Sequence, residues 1–238
     1  MTNNRPAADK RHLKGLEIIH EDRDIIVVDK PAGLLTIGTD KEKVKTAYFI
    51  LTDHIRKGSA QSRKQLWIVH RLDQDTSGVL IFAKSEEAKV YLQEHWEETE
   101  KLYLAVVHGK LAKKEDIIST YLAENSAHVV YSTPDARKGR LSRTAYRVLK
   151  ETDQFSLLEI NLLTGRKNQI RVHLAERGHA VVGDRKYGKK DRSHKQLALH
   201  ARSISFKHPF SKKTFTFEAR IPKDFEALVG AIPQGTGF

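Results

Sequence analysis

The sequence has 238 residues, enough for one large domain with a full hydrophobic core and no need of cross-links. It contains no cysteine, which excludes disulfides, thiolate metal ligation and a cysteine nucleophile and makes a reducing compartment the expectation. Its 42 Lys and Arg against 30 Asp and Glu leave a formal charge of +12, an excess that directs attention to polyanionic partners.

The opening text, MTNNRPAADKRHLKG, is polar, lacks a period and has no apolar core of a secretory signal. Residues 1–14 are therefore expected as a flexible arm and 15–238 as a single domain. No apolar run approaches the length of a bilayer span, so the reading is a soluble cytoplasmic protein with no membrane partner. DIIVVDKPAGLL (24–35) is a β-branched run stopped by Lys30-Pro31 and Gly33, a buried strand ending in a rigid turn. TAYFILTDHIRKG (46–58) sets Ala47, Ile50, Leu51 and Ile55 at helical spacing, with Gly58 as the expected C-cap.

GVLIFAKS (78–85) is a second apolar strand, feeding a helix over EEAKVYLQEHWEET (86–99) that Ser85 caps and two glutamates open. Strand composition returns at 101–111, 142–151, 154–163, 197–206 and 214–221, and one more helix is predicted over 166–178, ending at Gly178. Residues 112–141, charged and holding Pro and Gly, read as a long excursion between strands that contacts a ligand. Helices occur irregularly among many strands, so the fold class is α+β, a mixed and largely antiparallel sheet flanked by helices and loops.

Two familiar patterns fail on inspection. GDRKYGKK (183–190) has phosphate-loop spacing, but Lys190 stands where a Mg²⁺-binding hydroxyl is required. HRLD (70–73) has a leucine between Arg71 and Asp73, unlike a kinase catalytic loop, and no glycine-rich loop accompanies it. No histidine pair has zinc-binding helical spacing beside a glutamate, so no metal is expected. Basic residues concentrate at 137–143, 165–171, 184–195 and 211–214, loops that would form a phosphate-facing rim carrying Arg166, Lys167, Lys189, Lys190 and Lys195.

The segment VHRLDQDTSG (69–78) holds more chemistry. Asp75, Thr76 and Ser77 are turn formers. Asp73 instead ends an apolar stretch beside Arg71, which puts both at a cleft edge, and a half-buried carboxylate there needs a cationic partner to stay ionised. TGRKNQIRVHLAERG (164–178) offers Arg171, one helical turn from Lys167. Two placements are open for Arg171: a solvated basic face, or a reach across the sheet to Asp73.

HRLDQDTSG resembles the signature of the RluA-type RNA pseudouridine synthases. VVDKPAGLL (27–35), KLYLAVVHG (101–109), TGRKNQIRVHLAERGHAVVGDRKYG (164–188) and LALHARSISFKHP (197–209) agree with that family in order, and the resemblance covers about residues 16–230. It implies one catalytic domain, without a cofactor or metal and as a monomer, that isomerises uridine to pseudouridine in structured RNA, either tRNA or large-subunit rRNA. It implies Asp73 as the catalytic aspartate, Tyr103 as the aromatic against the target uracil and Arg171 as the basic partner of the aspartate. His70 and Arg71 would meet the RNA, Arg71 filling the gap left by a displaced base, and Leu199 would be an apolar wall of the base pocket.

This sequence departs from the pattern at Asn168, where these enzymes usually have His in GR-x-H-Q; Asn still donates and accepts hydrogen bonds. Many relatives also carry an N-terminal S4-type domain, for which VVDKPAGLL begins too near the start, so a stand-alone catalytic domain is expected.

Overall fold

The computed structural model describes residues 11–13, 15–40, 42–188 and 194–232. The first elements in chain order are β1 (Arg11–Leu13), β2 (Leu16–Glu21), β3 (Ile25–Lys30), α1 (Ala47–Arg56), β4 (Trp67–Ile68), β5 (Ser77–Ala83) and α2 (Glu86–Glu94). After a 3-10 turn at Trp96–Glu98 come β6 (Glu100–His108), β7 (Glu115–Glu124), β8 (Val130–Thr133), β9 (Arg140–Glu151) and β10 (Phe155–Leu162). α3 (Gln169–Glu176), β11 (Leu199–Lys207), β12 (Thr214–Glu218) and α4 (Lys223–Val229) complete the order. The class is α+β with a mixed, mostly antiparallel sheet, as the irregular alternation of patterns leads one to expect. Among the described residues no helix is long and apolar enough to cross a membrane.

The chain divides into two compact units, one running to Thr99 and including Ala201–Arg220, the other Glu100–His200 with the segment from Ile221 onward. In the first unit the strand order is β1-β2-β3-β5-β11, with β4 added to β5 and β12 to β11. Residues 1–10 of the expected arm lie outside the described residues, whereas Arg11–Leu13 pair with β2 in the register Leu13↔Leu16. β3 is buried on both faces, which is why IIVVDK shows no alternation. Ile25, Val27, Val79, Ile81, Leu92, Ile204, Phe206 and Phe217 make this unit's core.

α1 forms as its pattern dictates, with Thr46 Oγ1 accepting from the Phe49 N–H and Ala47, Leu51 and Ile55 buried at four-residue intervals. Its C-cap is Lys57, left-handed at φ 52°, one residue before the expected Gly58. α2 starts where Ser85 predicts, with Ser85 Oγ accepting from the Ala88 N–H, but stops at Glu94; the expected remainder to 99 is the separate 3-10 turn.

The second unit is an antiparallel run, β6-β10-β9-β7-β8. The excursion over 112–141 is for the most part sheet: β7 buries only Ile118 and Leu122 and leaves Ile117 exposed, so a half-solvated strand reads as charged loop text. α3 begins at Gln169 and not at 166, because Asn168 holds a left-handed φ of 54° that no right-handed helix continues through. α4 escaped the sequence pattern through its shortness; Phe225 and Val229, four residues apart, are its buried contacts.

Gly78, at the start of β5, has φ 111°, and a methyl group there would come within 2.1 Å of the Ala201 carbonyl oxygen. The glycine of the HRLDQDTSG stretch is thus required by close approach of two backbones. Gly78→Ala is expected to cost more than about 4 kcal/mol, the range of overpacking combined with backbone strain, visible as loss of soluble protein or a collapsed urea midpoint. A wild-type midpoint would contradict this close packing.

Candidate active site

The loop that carries Arg71 and Asp73 leaves β4, runs beside β5 and returns to it through a tight turn. Three devices hold it directly. The His70 ring accepts from the Ile81 N–H at 3.1 Å through Nε2, taking the role of a strand carbonyl, and lies 4.7 Å from the Trp96 ring. Buried Thr36 brackets Leu72: its Oγ1 donates to the Leu72 carbonyl at 2.9 Å and accepts from the Leu72 N–H at 3.2 Å. The Thr76 N–H closes a turn on the Asp73 carbonyl at 3.2 Å. With Leu72 buried, extended-chain alternation leaves Arg71 exposed and Asp73 half-buried.

A fourth support is a residue that the sequence pattern marks only as a strand stop. Lys30 is fully buried, and its Nζ donates to the carbonyls of Pro31 (3.0 Å), Leu34 (2.7 Å) and Gln74 (3.0 Å). The Gln74 carbonyl also accepts from the Gly33 N–H at 2.9 Å, and Gln74 Nε2 donates back to the Gly33 carbonyl at 3.1 Å. The residue after Asp73 is thereby tied to the turn after β3. Burial lowers the Lys30 pKa to about 8, against the opposing pull of Asp75, Asp73 and Asp29. A lysine ending a run buried on both faces was the available signal.

In the second unit Tyr103 lies half-buried on β6, opposite Ile160, and packs against the core. Arg171 is buried on α3 and makes a two-pronged pair with Asp184, Nε to Oδ2 at 2.8 Å and Nη2 to Oδ1 at 2.9 Å. Asp184 Oδ1 also accepts from the N–H groups of Lys186 (2.9 Å) and Tyr187 (3.0 Å). Burial raises the Asp184 pKa, but the Arg171 guanidinium and those N–H groups outweigh it, and the carboxyl sits below its ordinary value. Asn168 completes the cluster, its Oδ1 accepting from Arg171 Nη1 at 3.2 Å and its Nδ2 donating to the Tyr187 hydroxyl at 3.0 Å. Asp184 is not singled out by the sequence pattern, although a carboxylate one glycine beyond the apolar Val181-Val182 needs a cation by the same logic applied to Asp73.

Gln169 closes the lead-in to α3, accepting from Thr164 Oγ1 (2.8 Å) and the Arg166 N–H (3.0 Å) and donating to the Arg143 carbonyl (3.0 Å). His173, whose pKa burial depresses to about 4, bridges Thr144 and Thr120 as a neutral ring. Of the expected phosphate contacts, Arg166 and Lys195 are exposed, and Lys189 and Lys190 lie outside the described residues. Lys167 precedes α3, so it does not share a helical face with Arg171; its Nζ meets Glu124 Oε1 at 2.5 Å. Residues 183–188 of the phosphate-loop pattern wrap around Asp184, with Gly188 N–H donating to the Asp184 carbonyl at 3.0 Å. Leu199 is buried at the start of β11.

Asp22, Asp24 and His208 are the one described group with three ligand atoms within 4.8 Å. Asp22 is already engaged, Oδ1 by the N–H groups of Asp24 and Ile25 and Oδ2 by His20 and His208, which makes the group a clasp at the β2–β3 turn.

Comparison with known proteins bears on this geometry directly. A family model described as RNA pseudouridylate synthase matches residues 24–176. The uncharacterized RNA pseudouridine synthase YhcT of Bacillus subtilis is 32% identical over 221 residues, covering 90% of this chain and 71% of the relative. The ribosomal large subunit pseudouridine synthase D of Nitrosomonas europaea is 36% identical over 230 residues, covering 91% of this chain and 65% of the relative. Human RNA pseudouridylate synthase domain containing 1 superposes with a TM-score of 0.67 at 26% identity, over 86% of this chain and 83% of that one. Human RNA pseudouridylate synthase domain containing 4 shares the fold, with a TM-score of 0.71 at 23% identity over 87% and 89% of the two chains.

The protein is thus an RNA-modifying isomerase. It belongs to the RNA pseudouridine synthases of the RluA type, the family its motifs resemble.

Two substitutions probe the supports. Folding lowers the Lys30 pKa from 10.5 to about 8, so the unfolded chain binds more protons between those values and this group adds stability as pH rises through that window. Lys30→Met is expected to lose about 1–3 kcal/mol per carbonyl left unmet and to abolish that rising component between pH 8 and 10 in urea titrations. Asp184→Asn should cost about 3–5 kcal/mol, the usual penalty of stranding a buried partner; a loss under about 1 kcal/mol in the same assay would deny the pair a structural role.

Proposed function

We propose that this enzyme isomerises a specific uridine in structured RNA, tRNA or large-subunit rRNA, by flipping the nucleotide out and working on it with Asp73. The observation that carries the reading is the arrangement of the HRLD loop, an exposed Arg71 and a half-buried Asp73 on either side of buried Leu72, braced from beneath by Lys30 and Thr36. A group that contacts the stack and a group that acts on what leaves it require this kind of neighbouring, differently exposed placement. The relative named for the large ribosomal subunit makes rRNA the first RNA to test.

The reaction breaks the bond from C1′ to N1, turns the uracil and joins C5 to C1′, with C5 losing a proton, N1 gaining one and no water added. A carboxylate near the sugar suits that chemistry, as it does in glycoside cleavage. Reaching C1′ within folded RNA requires extrusion, at a cost of a few kcal/mol that a guanidinium filling the gap offsets in part. In the roles carried by the family resemblance, Tyr103 meets the uracil, Arg171 is the basic partner of Asp73 and Leu199 is an apolar wall; the clustering of basic residues in loops gives Arg166 and Lys195 to the phosphates.

Asp73→Asn is expected to abolish pseudouridine formation while leaving RNA affinity within about tenfold, because one site carboxylate adds little to binding a polyanion. Pseudouridine mapping of tRNA and rRNA from cells lacking the gene, complemented with either form, reads this out together with filter binding. Turnover by the Asp73→Asn variant would remove Asp73 from the chemistry.

A further inference from the structure

The first unit holds a cleft of about 860 Å³ that the proposed chemistry does not use. It opens beside the β2–β3 turn, the C-terminal end of α1 and Trp67 of β4. The β3–β5 ladder measures its separation from the HRLD loop. Lys30, opposite Gly78, marks the loop end, and Ile25, opposite Ala83, marks the cleft end. Trp67 also pairs with Ala83, so the cleft lies about 17 Å of strand away from the Lys30 anchor, roughly five nucleotide steps of a duplex.

Its lining has a definite charge. Arg23, Lys57, Arg63 and Lys64 line it, all four exposed, and among the described residues none of them is in an ion pair. Among its lining carboxylates, Glu21 meets Lys84 and His54, each at 2.8 Å, and Asp22 meets His20 at 2.8 Å and His208 at 3.0 Å. Asp53 is the third acid of the lining. Arg56 Nε donates to the Lys64 carbonyl at 2.7 Å, which ties the basic loop to the end of α1. Half-buried Trp67 adds an aromatic surface on which a base can stack.

We propose that this cleft is a second RNA contact, taking a phosphate-rich segment of the same substrate remote from the nucleotide being isomerised. Four exposed cations beside an aromatic ring are the chemistry that tracks a nucleic-acid backbone without reading its sequence. The inference rests on RNA being the substrate, as the proposed function has it. It gives the enzyme a means of gripping RNA beyond its target loop.

The test compares wild type with Arg23→Ala/Arg63→Ala/Lys64→Ala on a 30-nucleotide oligouridylate and on a transcript of large-subunit rRNA, across 50–300 mM salt. The expected result is at least about tenfold weaker binding at low salt, with the slope of log K against log salt reduced by about 2, or roughly 0.7 per lost phosphate contact. KM should rise with kcat retained, and Trp67→Leu should diminish RNA-induced tryptophan quenching. Identical slopes for wild type and triple variant overturn the proposal. So does unchanged RNA binding alongside lost binding of polyglutamate, which would reassign the cleft to an acidic protein. If the wild type modifies no RNA yet the slopes differ, the cleft stands and the catalytic reading fails.

Discussion

The ammonium of Lys30, buried at the end of β3, donates to three carbonyl oxygens from two separate loops, and the geometry around Asp73 depends on it. Those carbonyls belong to turns with no strand partner at that point, and one is that of Pro31, a residue with no N–H to offer. A single cation supplies what a strand ladder would otherwise provide, in surroundings where each hydrogen bond is strong and each unmet group expensive. The cost appears in its own titration, lowered to about 8 by burial, while the negative charges of Asp75, Asp73 and Asp29 help keep it ionised. The acidic HRLDQD stretch and the buried lysine thus stabilise one another.

Arg171 is arranged by the same principle in the second unit. A long cation is held at a fixed angle by a carboxylate that is itself fixed, since Asp184 Oδ1 accepts two backbone N–H groups besides the guanidinium. Buried ion pairs contribute little net stability when compared with apolar packing, but they resist rearrangement because separating the partners strands a charge. Asn168 supports this from the helix entry, and its left-handed backbone points the amide at Arg171 and Tyr187 together. It both donates and accepts there, to the Tyr187 hydroxyl and from Arg171.

The basic excess therefore has two destinations. Lys30, Lys84, Lys167, Lys186 and Arg171 are engaged with the protein's own carbonyls and carboxylates. Arg23, Lys57, Arg63, Lys64, Arg71, Arg166 and Lys195 stand exposed. Net charge records the sum, whereas attraction of a polyanion depends on the charges that remain exposed.

Several features were legible in the residues themselves. The cap at Ser85, the apolar runs of β3 and β5 and the irregular order of strands and helices are local signals, carried by neighbours within a turn or two. The motif order identified the family for the same reason, since it is a property of the linear chain. The helix proposed over 166–178 lost its first turn to Asn168, and 112–141 became β7 and β8, because a half-solvated strand and a left-handed residue are decided by what they pack against. Partners distant in the chain were out of reach altogether: Lys30 with Gln74, Thr36 with Leu72, Gly78 against Ala201. Composition and local pattern determined which charges this protein has and which segments are buried. Only the tertiary structure decided which charge meets which carbonyl, because such pairings depend on loops being brought together from 36 or more residues apart.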